Sequence, residues 1–296
     1  MKVAIYHSSF NIDSNTDYIN ELLNNLINRN ISVCLHENFL TIIDKINAAD
    51  KQEIFTDKES LQQSCPDILI SLGGDGTLLN ALLLIGDSQI PVIGINLGRL
   101  GFISSINKHE TDKIIDCLYK RDYEIEKRSL LKLSSEPDKN YFGKFNYALN
   151  DFIIKKSRYN SMLKLKVNVD GFWLNNYWGD GIIISTPTGS TAYSISCGGP
   201  IILPNTNDFI ITPICPHNLS VRPIVVPDNS VIDIEISSDR TSSVTLSIDS
   251  RNIETIPAAK LTIQKQNFTL NLIKPKFFDY LNTLRTKLMW GMDYRN

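Results

Sequence analysis

Short apolar runs alternate with amphipathic stretches through the first third of the chain. Lys2 to Tyr6 reads as a first strand, and Ile31 to Leu35 as a second. Between them, Asp17 to Arg29 places Ile19, Leu22, Leu23, Leu26 and Ile27 on one helical face, with Ser14 or Asn15 as the cap. Asp67 to Leu72 reads as a buried strand, Thr77 to Ile85 as a helix and Pro91 to Ile95 as a strand. Thr111 to Lys120 closes the series, its face set by Ile114, Ile115 and Leu118. Such alternation predicts a Rossmann-like parallel sheet covered by helices.

From about Tyr123 the period changes to two. Leu163, Leu165, Val167 and Val169 alternate with Lys164, Lys166 and Asn168 before an Asp170–Gly171 turn. Ile232, Ile234 and Ile236, then Val244, Leu246 and Ile248, repeat the pattern. These are half-buried antiparallel strands. Helical spacing returns from Phe277 to Trp290, with Phe277, Tyr280, Leu281, Leu284 and Leu288 on a face expected to be core. The reading is an α/β domain over 1–122, a β-rich domain over 123–275, and a C-terminal helix over 276–296 packing back on the first.

Composition narrows the partners. With 30 basic and 32 acidic side chains in 296 residues, nothing directs the chain to nucleic acid or an anionic membrane. Five scattered cysteines without a CxxC pair, and four histidines without ligand spacing, leave no disulfide framework or zinc site to propose. A reducing, cytoplasmic setting is expected. MKVAIYHSSF lacks the apolar core of a signal peptide, and no apolar run is long enough to span a bilayer.

Three features carry chemistry. Gly73-Gly74-Asp75-Gly76-Thr77 joins a buried strand to a helix. Its glycines and the helix N-terminus suit a phosphate, which makes Gly73, Gly74, Gly76 and Thr77 the phosphate-binding candidates. A carboxylate inside a phosphate loop makes sense if it faces a hydroxyl or a metal. The plainer alternative is a tight turn with Asp75 as N-cap. Second, Gly179-Asp180-Gly181 leads through Ser185-Thr186-Pro187 into Thr188-Gly189-Ser190-Thr191-Ala192-Tyr193-Ser194-Ile195-Ser196, a turn and helix start rich in small hydroxyl residues that can meet a polar ligand. Third, Asn150-Asp151 precedes a strand; the pair could hold a ribose diol or simply form a turn.

GGDGT, the Asn-Asp pair and GDGIIISTPTGSTAYSISCGGP, in this order, resemble the bacterial NAD kinase family. So do the second Gly-rich segment Gly94-Ile95-Asn96-Leu97-Gly98-Arg99-Leu100-Gly101-Phe102, His217 to Pro223, and the closing Phe278-Asp279 and Leu288 to Gly291. The resemblance implies phosphoryl transfer from ATP, with Mg²⁺, to the 2′-hydroxyl of the adenosine ribose of NAD. It implies Asp75 as proton acceptor and Asp75 with Gly76 as NAD contacts. Asn150 and Asp151 would hold a ribose; Asp180, Thr188, Thr191, Ala192, Tyr193, Ser194, Ile195 and Ser196 would line the NAD pocket, with Asp249 near a contact position. It further implies a homo-oligomer, tetramer or dimer, in which Asp180 reaches an NAD held mainly by a neighbouring chain. The metal ligands stay open. Trp178, Ser161 and Arg251 depart from the family pattern. A lipid or sugar kinase using the same GGDGT loop, or a non-catalytic dinucleotide sensor, are the alternatives; the Ser/Thr/Tyr-rich stretch and the presence of Asp75 speak against them.

Overall fold

The computed structural model describes residues 1–8, 13–46, 52–98, 101–104, 106–157, 162–236, 243–255 and 260–290. The chain divides into two units, Met1–Glu126 with Leu270–Asn296, and Lys127–Thr269.

The first unit is built on a mainly parallel sheet. Its strand order is Glu53–Phe55, Ser32–His36, Lys2–His7, Ile68–Leu72, Val92–Asn96, Leu270–Pro275 and Tyr123–Arg128, with Ile106–Asn107 paired to Val92–Asn96. Every residue of Ile68–Leu72 and Val92–Asn96 is buried, as continuous apolar strands of a covered parallel sheet must be. The helix Thr16–Asn28 buries Ile19, Leu22, Leu23 and Leu26. Ile27, expected on that face, is exposed, because it falls at the edge of the apolar stripe. Asn15 occupies the cap position, but no side chain caps the helix. The parallel pairs run from Lys2–His7 outward in both directions, to Ser32–His36 on one side and Ile68–Leu72 on the other. The C-terminal ends of Lys2–His7 and Ile68–Leu72 therefore flank a topological switch point, where α/β sheets place ligands.

The domain boundaries differ from expectation. Leu270–Pro275 pairs in parallel with Val92–Asn96, through Leu272 opposite Val92, and so belongs to the first unit. Tyr123–Arg128 joins the same sheet. The period-two pattern grouped both strands with the β-rich segment because periodicity reports a strand's faces and not its partners. The C-terminal helix is Tyr280–Leu288, with the Asp279 carboxylate accepting from Leu281 N–H at 2.9 Å. It buries only Thr283 and Leu284. Leu281, Met289 and Trp290 are exposed, so the expected core face is narrower than its spacing suggests.

The second unit has two six-stranded sheets. One runs Ile224–Pro227, Asp208–Ile214, Gly181–Ser185, Asp151–Lys156, Val244–Ile248, Arg251–Thr255; the other runs Phe172–Gly179, Leu163–Val169, Ile232–Ile236, Lys260–Lys265, Leu131–Glu136, Tyr147–Ala148. All pairings are antiparallel. Phe152, Ile154, Leu246 and Ile248 of the first sheet share one core with Leu163, Leu165, Val167, Ile232 and Ile234 of the second. The alternation read from the sequence is thus the inner face of a β-sandwich.

Candidate functional site

In the first unit, Gly73 leaves the strand Ile68–Leu72 at φ 146°, and a Cβ there would lie 2.3 Å from Thr77 Oγ1. Only glycine meets both conditions. Gly74 takes the N-cap position in extended conformation, and Asp75 is the first residue of the helix Asp75–Ile85. The alternative of Asp75 as N-cap is therefore excluded. Its carboxylate instead accepts backbone hydrogen bonds from Phe102 at 2.8 Å, Ile103 at 3.0 Å and Ser104 at 2.8 Å. GGDGT thus meets the second Gly-rich segment through this side chain, in addition to the Gly73 N–H that donates to Ile95 O at 2.9 Å. Asn96 braces the same segment, accepting from Gly98 N–H at 2.8 Å. Ser8, just beyond the first strand, lies 2.9 Å from Thr77 through their hydroxyls. Sequence reading missed Ser8; its signal was the position at a parallel strand's C-terminal end.

His7 and His36 are buried against aromatic rings, His7 edge-on to Phe39 and His36 to Tyr6 and Phe55. Burial lowers both pKa values, which keeps the rings neutral and structural.

In the second unit, the turn Leu149–Asp151 is held by Asp249. Its carboxylate accepts from Leu149 N–H at 3.1 Å, Asn150 N–H at 2.8 Å and Asp151 N–H at 3.3 Å. Asp249 adopts a left-handed backbone, φ 51°, and is buried enough that its pKa is raised. Expected near a ligand contact, it braces the ribose candidates from behind. Thr186 holds them from the other side, its N–H bonded to Asn150 O at 2.9 Å and its hydroxyl to Leu149 O at 2.5 Å. A Cβ on Gly189 would lie 2.0 Å from Asn150 O, so only glycine lets the two turns touch.

The buried groups in this turn are unusual. Asn150 Oδ1 and Ser185 Oγ are buried without a hydrogen-bond partner, which makes them available to a ligand donor. Burial, then the neighbouring Asp249 charge, raises the Asp151 carboxyl to about 7, against a small opposing contribution from the Tyr193 backbone. A carboxyl poised near neutrality can donate or accept.

The hydroxyl-rich stretch folds as two short turns, Thr188–Thr191 and Tyr193–Ser196, and not as a longer helix. Thr188 and Ser194 are buried: Thr188 accepts from the buried Arg128 at 3.1 Å, and the Ser194 hydroxyl lies 2.9 Å from Thr212. Thr191, Ala192 and Ile195 are half-buried, whereas Tyr193 and Ser196 are exposed. Asp180 is ion-paired with Lys156 at 2.6 Å. A cavity of about 580 Å³ opens on the polar face of the sheet, lined by Tyr193 with Lys155, Lys156, Ser247, Asn252 and Glu254 among others. Of the pocket residues expected from sequence it includes Tyr193 alone. Lys155 and Lys156 are the last two residues of the strand Asp151–Lys156, and this pair of charges closing its apolar run was the missed signal.

The departures separate. Trp178 is exposed, with Lys164 Nζ 4.5 Å above its ring. Arg251 donates to Phe145 O at 2.5 Å and Tyr147 O at 2.8 Å, a structural use. Ser161 lies outside the described residues.

Among the described residues no three His, Cys, Asp or Glu side chains gather as a metal site. No described helix is long and apolar enough to cross a membrane.

Family models for the ATP-NAD kinase N-terminal domain and C-terminal domain match residues 11–123 and 149–274. A protein of Cytophaga hutchinsonii named NAD kinase is 42% identical over the full length of both chains. A crystal structure titled yeast NADH kinase complexed with NADH aligns at TM-score 0.86 and 24% identity, covering 100% of this chain and 89% of that one. One titled an NAD kinase from Archaeoglobus fulgidus in complex with ATP aligns at TM-score 0.74 and 22% identity, covering 98% and 99%. At these identities the two solved structures speak for the fold, while the family models and the full-length relative settle the lineage. The chain belongs to the NAD kinase family.

Proposed function

We propose that the chain phosphorylates the 2′-hydroxyl of the adenosine ribose of NAD with MgATP, giving NADP and ADP. The observation that carries the residue assignment is the GGDGT loop at the switch point of the sheet, with a single carboxylate, Asp75, in it. In the proposed step the ribose oxygen attacks the γ-phosphorus, the bond to the β-bridging oxygen breaks, and Asp75 takes the hydroxyl proton. Gly73, Gly74, Gly76 and Thr77 receive phosphate at the helix N-terminus. Asn150 Oδ1 accepts from a ribose hydroxyl and Asp151 completes the pair. Asp180, Thr191, Ala192, Tyr193, Ile195 and Ser196 contact the rest of NAD, while Thr188, Ser194 and Asp249 shape the turns that carry them.

Among the described residues no three His, Cys, Asp or Glu side chains gather around Asp75 or elsewhere, and the Asp75 carboxylate accepts three backbone amides. Mg²⁺ would come with the ATP phosphates and would offset their charge beside Asp75. The test is incubation of purified protein with NAD and MgATP and separation of the nucleotides. NADP and ADP are expected, with formation abolished by EDTA; folded protein that makes no NADP overturns the reading.

The resemblance also motivates a homo-oligomer in which Asp180 serves a neighbour's NAD. Asp75→Asn and Asp180→Asn are each expected to be impaired alone. Co-expressed, they should regain activity in mixed oligomers; mixed oligomers no more active than the separate mutants refute the shared arrangement.

A further inference from the structure

Asp75 makes no cap to its own helix. Phe102 N–H donates to Oδ2, while Ile103 N–H and Ser104 N–H both donate to Oδ1. A carboxylate offers about four acceptor sites. Both of those on Oδ1 and one on Oδ2 are used, so one remains, on Oδ2.

Gly101 makes this seating possible. A Cβ there would lie 1.9 Å from Asp75 Oδ1, 2.6 Å from Cγ and 2.9 Å from Oδ2, and these are its three nearest neighbours. Gly101 is not among the residues with positive φ, so its backbone is open to any residue. The turn does not demand glycine; the seated carboxylate does. Gly101 N–H also bonds Ser104 O at 3.1 Å, which closes the segment around the acid.

We propose that Gly101–Ser104 is a positioning element for the phosphoryl transfer. Gly101 leaves the room, the three amides fix the carboxylate, and the remaining acceptor on Oδ2 takes the substrate hydroxyl and its proton. The inference rests on the reading of Asp75 as proton acceptor. Fixing the group beforehand matters because misplacement by about 1 Å costs roughly 10²-fold in rate.

The test compares NADP formation by the wild type, Gly101→Ala, Asp75→Asn and the double variant, with thermal melts of each. Gly101→Ala should lower kcat by roughly 10²-fold while KM for NAD stays within about threefold. The two losses should not multiply, because both act on one carboxylate. A Gly101→Ala enzyme with wild-type kcat, or losses that multiply, overturns the proposal. Should Gly101→Ala fail to fold, the Gly101→Ala/Asp75→Ala double variant should regain a cooperative melt, since the colliding atoms are gone; one that stays unfolded counts against it. Amide hydrogen exchange gives a readout independent of activity. Exchange at Phe102 to Ser104 should be slow in the wild type and faster in folded Asp75→Ala, and equal rates overturn the seating. Asp75→Asn with wild-type kcat removes both the proton-acceptor role and this proposal while leaving the kinase assignment. Wild-type protein that makes no NADP removes the kinase reading itself.

Discussion

Three acidic residues of similar sequence appearance do different work. Asp75 spends its charge on the amides of a distant segment, Asp249 on the amides of a turn, and Asp151 is left buried with little to hold its charge. Asp75→Asn should keep the fold and lower kcat by roughly 10²–10⁴-fold, the usual span for a general base. Steady-state kinetics check this, and a change under about threefold would remove the residue from that role. Asp151 makes a pH prediction. Its folded carboxyl titrates at about 7 against an ordinary 3.8, so the folded state holds a proton that the unfolded state has released. That contribution is fully present below about pH 4 and is lost as pH rises through about 7, at up to about 1.4 kcal/mol per pH unit. Asp151→Asn should therefore gain thermal stability relative to wild type steadily from pH 4 to 7 and no further above it. Melting curves across that range decide; a constant difference refutes the raised carboxyl.

At the Asn150 turn, side chains of distant elements hold backbone groups. The turn Leu149–Asp151 sits between Asp249 and Thr186, with Gly189 pressed on its carbonyl. Asp249→Ala would leave three buried amides without their acceptor, at a cost of roughly 2–4 kcal/mol. We expect a lower melting temperature together with weaker NAD binding, because the turn that orients Asn150 loosens. Titration calorimetry and a melt on the same sample test the pair of effects; unchanged NAD affinity in a destabilised protein would show that the turn binds nothing. GGDGT and the hydroxyl-rich stretch were both legible, since each concentrates glycine or small hydroxyls at a strand's end. The amides that hold Asp75 were not, because backbone donors carry no residue signature. The amides that Asp249 holds were not legible either, for the same reason.

The whole chain folds as a continuous second unit and a discontinuous first one. Leu270–Pro275 lies between Val92–Asn96 and Tyr123–Arg128 in the first sheet. A fragment of residues 1–126 thus lacks an interior strand, whereas 127–269 lacks none of its twelve. We expect the 127–269 fragment to show β-sheet circular dichroism and a cooperative melt, and the 1–126 fragment to regain such a melt only when 270–296 is supplied. A cooperative melt of 1–126 alone would refute the interior strand's importance. By itself the sequence determined the strand–helix alternation, the two hydrophobic periods, the phosphate loop and the family likeness, all of which are local or ordered along the chain. Tertiary structure decided which sheet receives Leu270–Pro275, where Asp75 places its charge, and why Asp151 stays protonatable. Those outcomes depend on strand partners, backbone donors and burial supplied by residues far away in sequence.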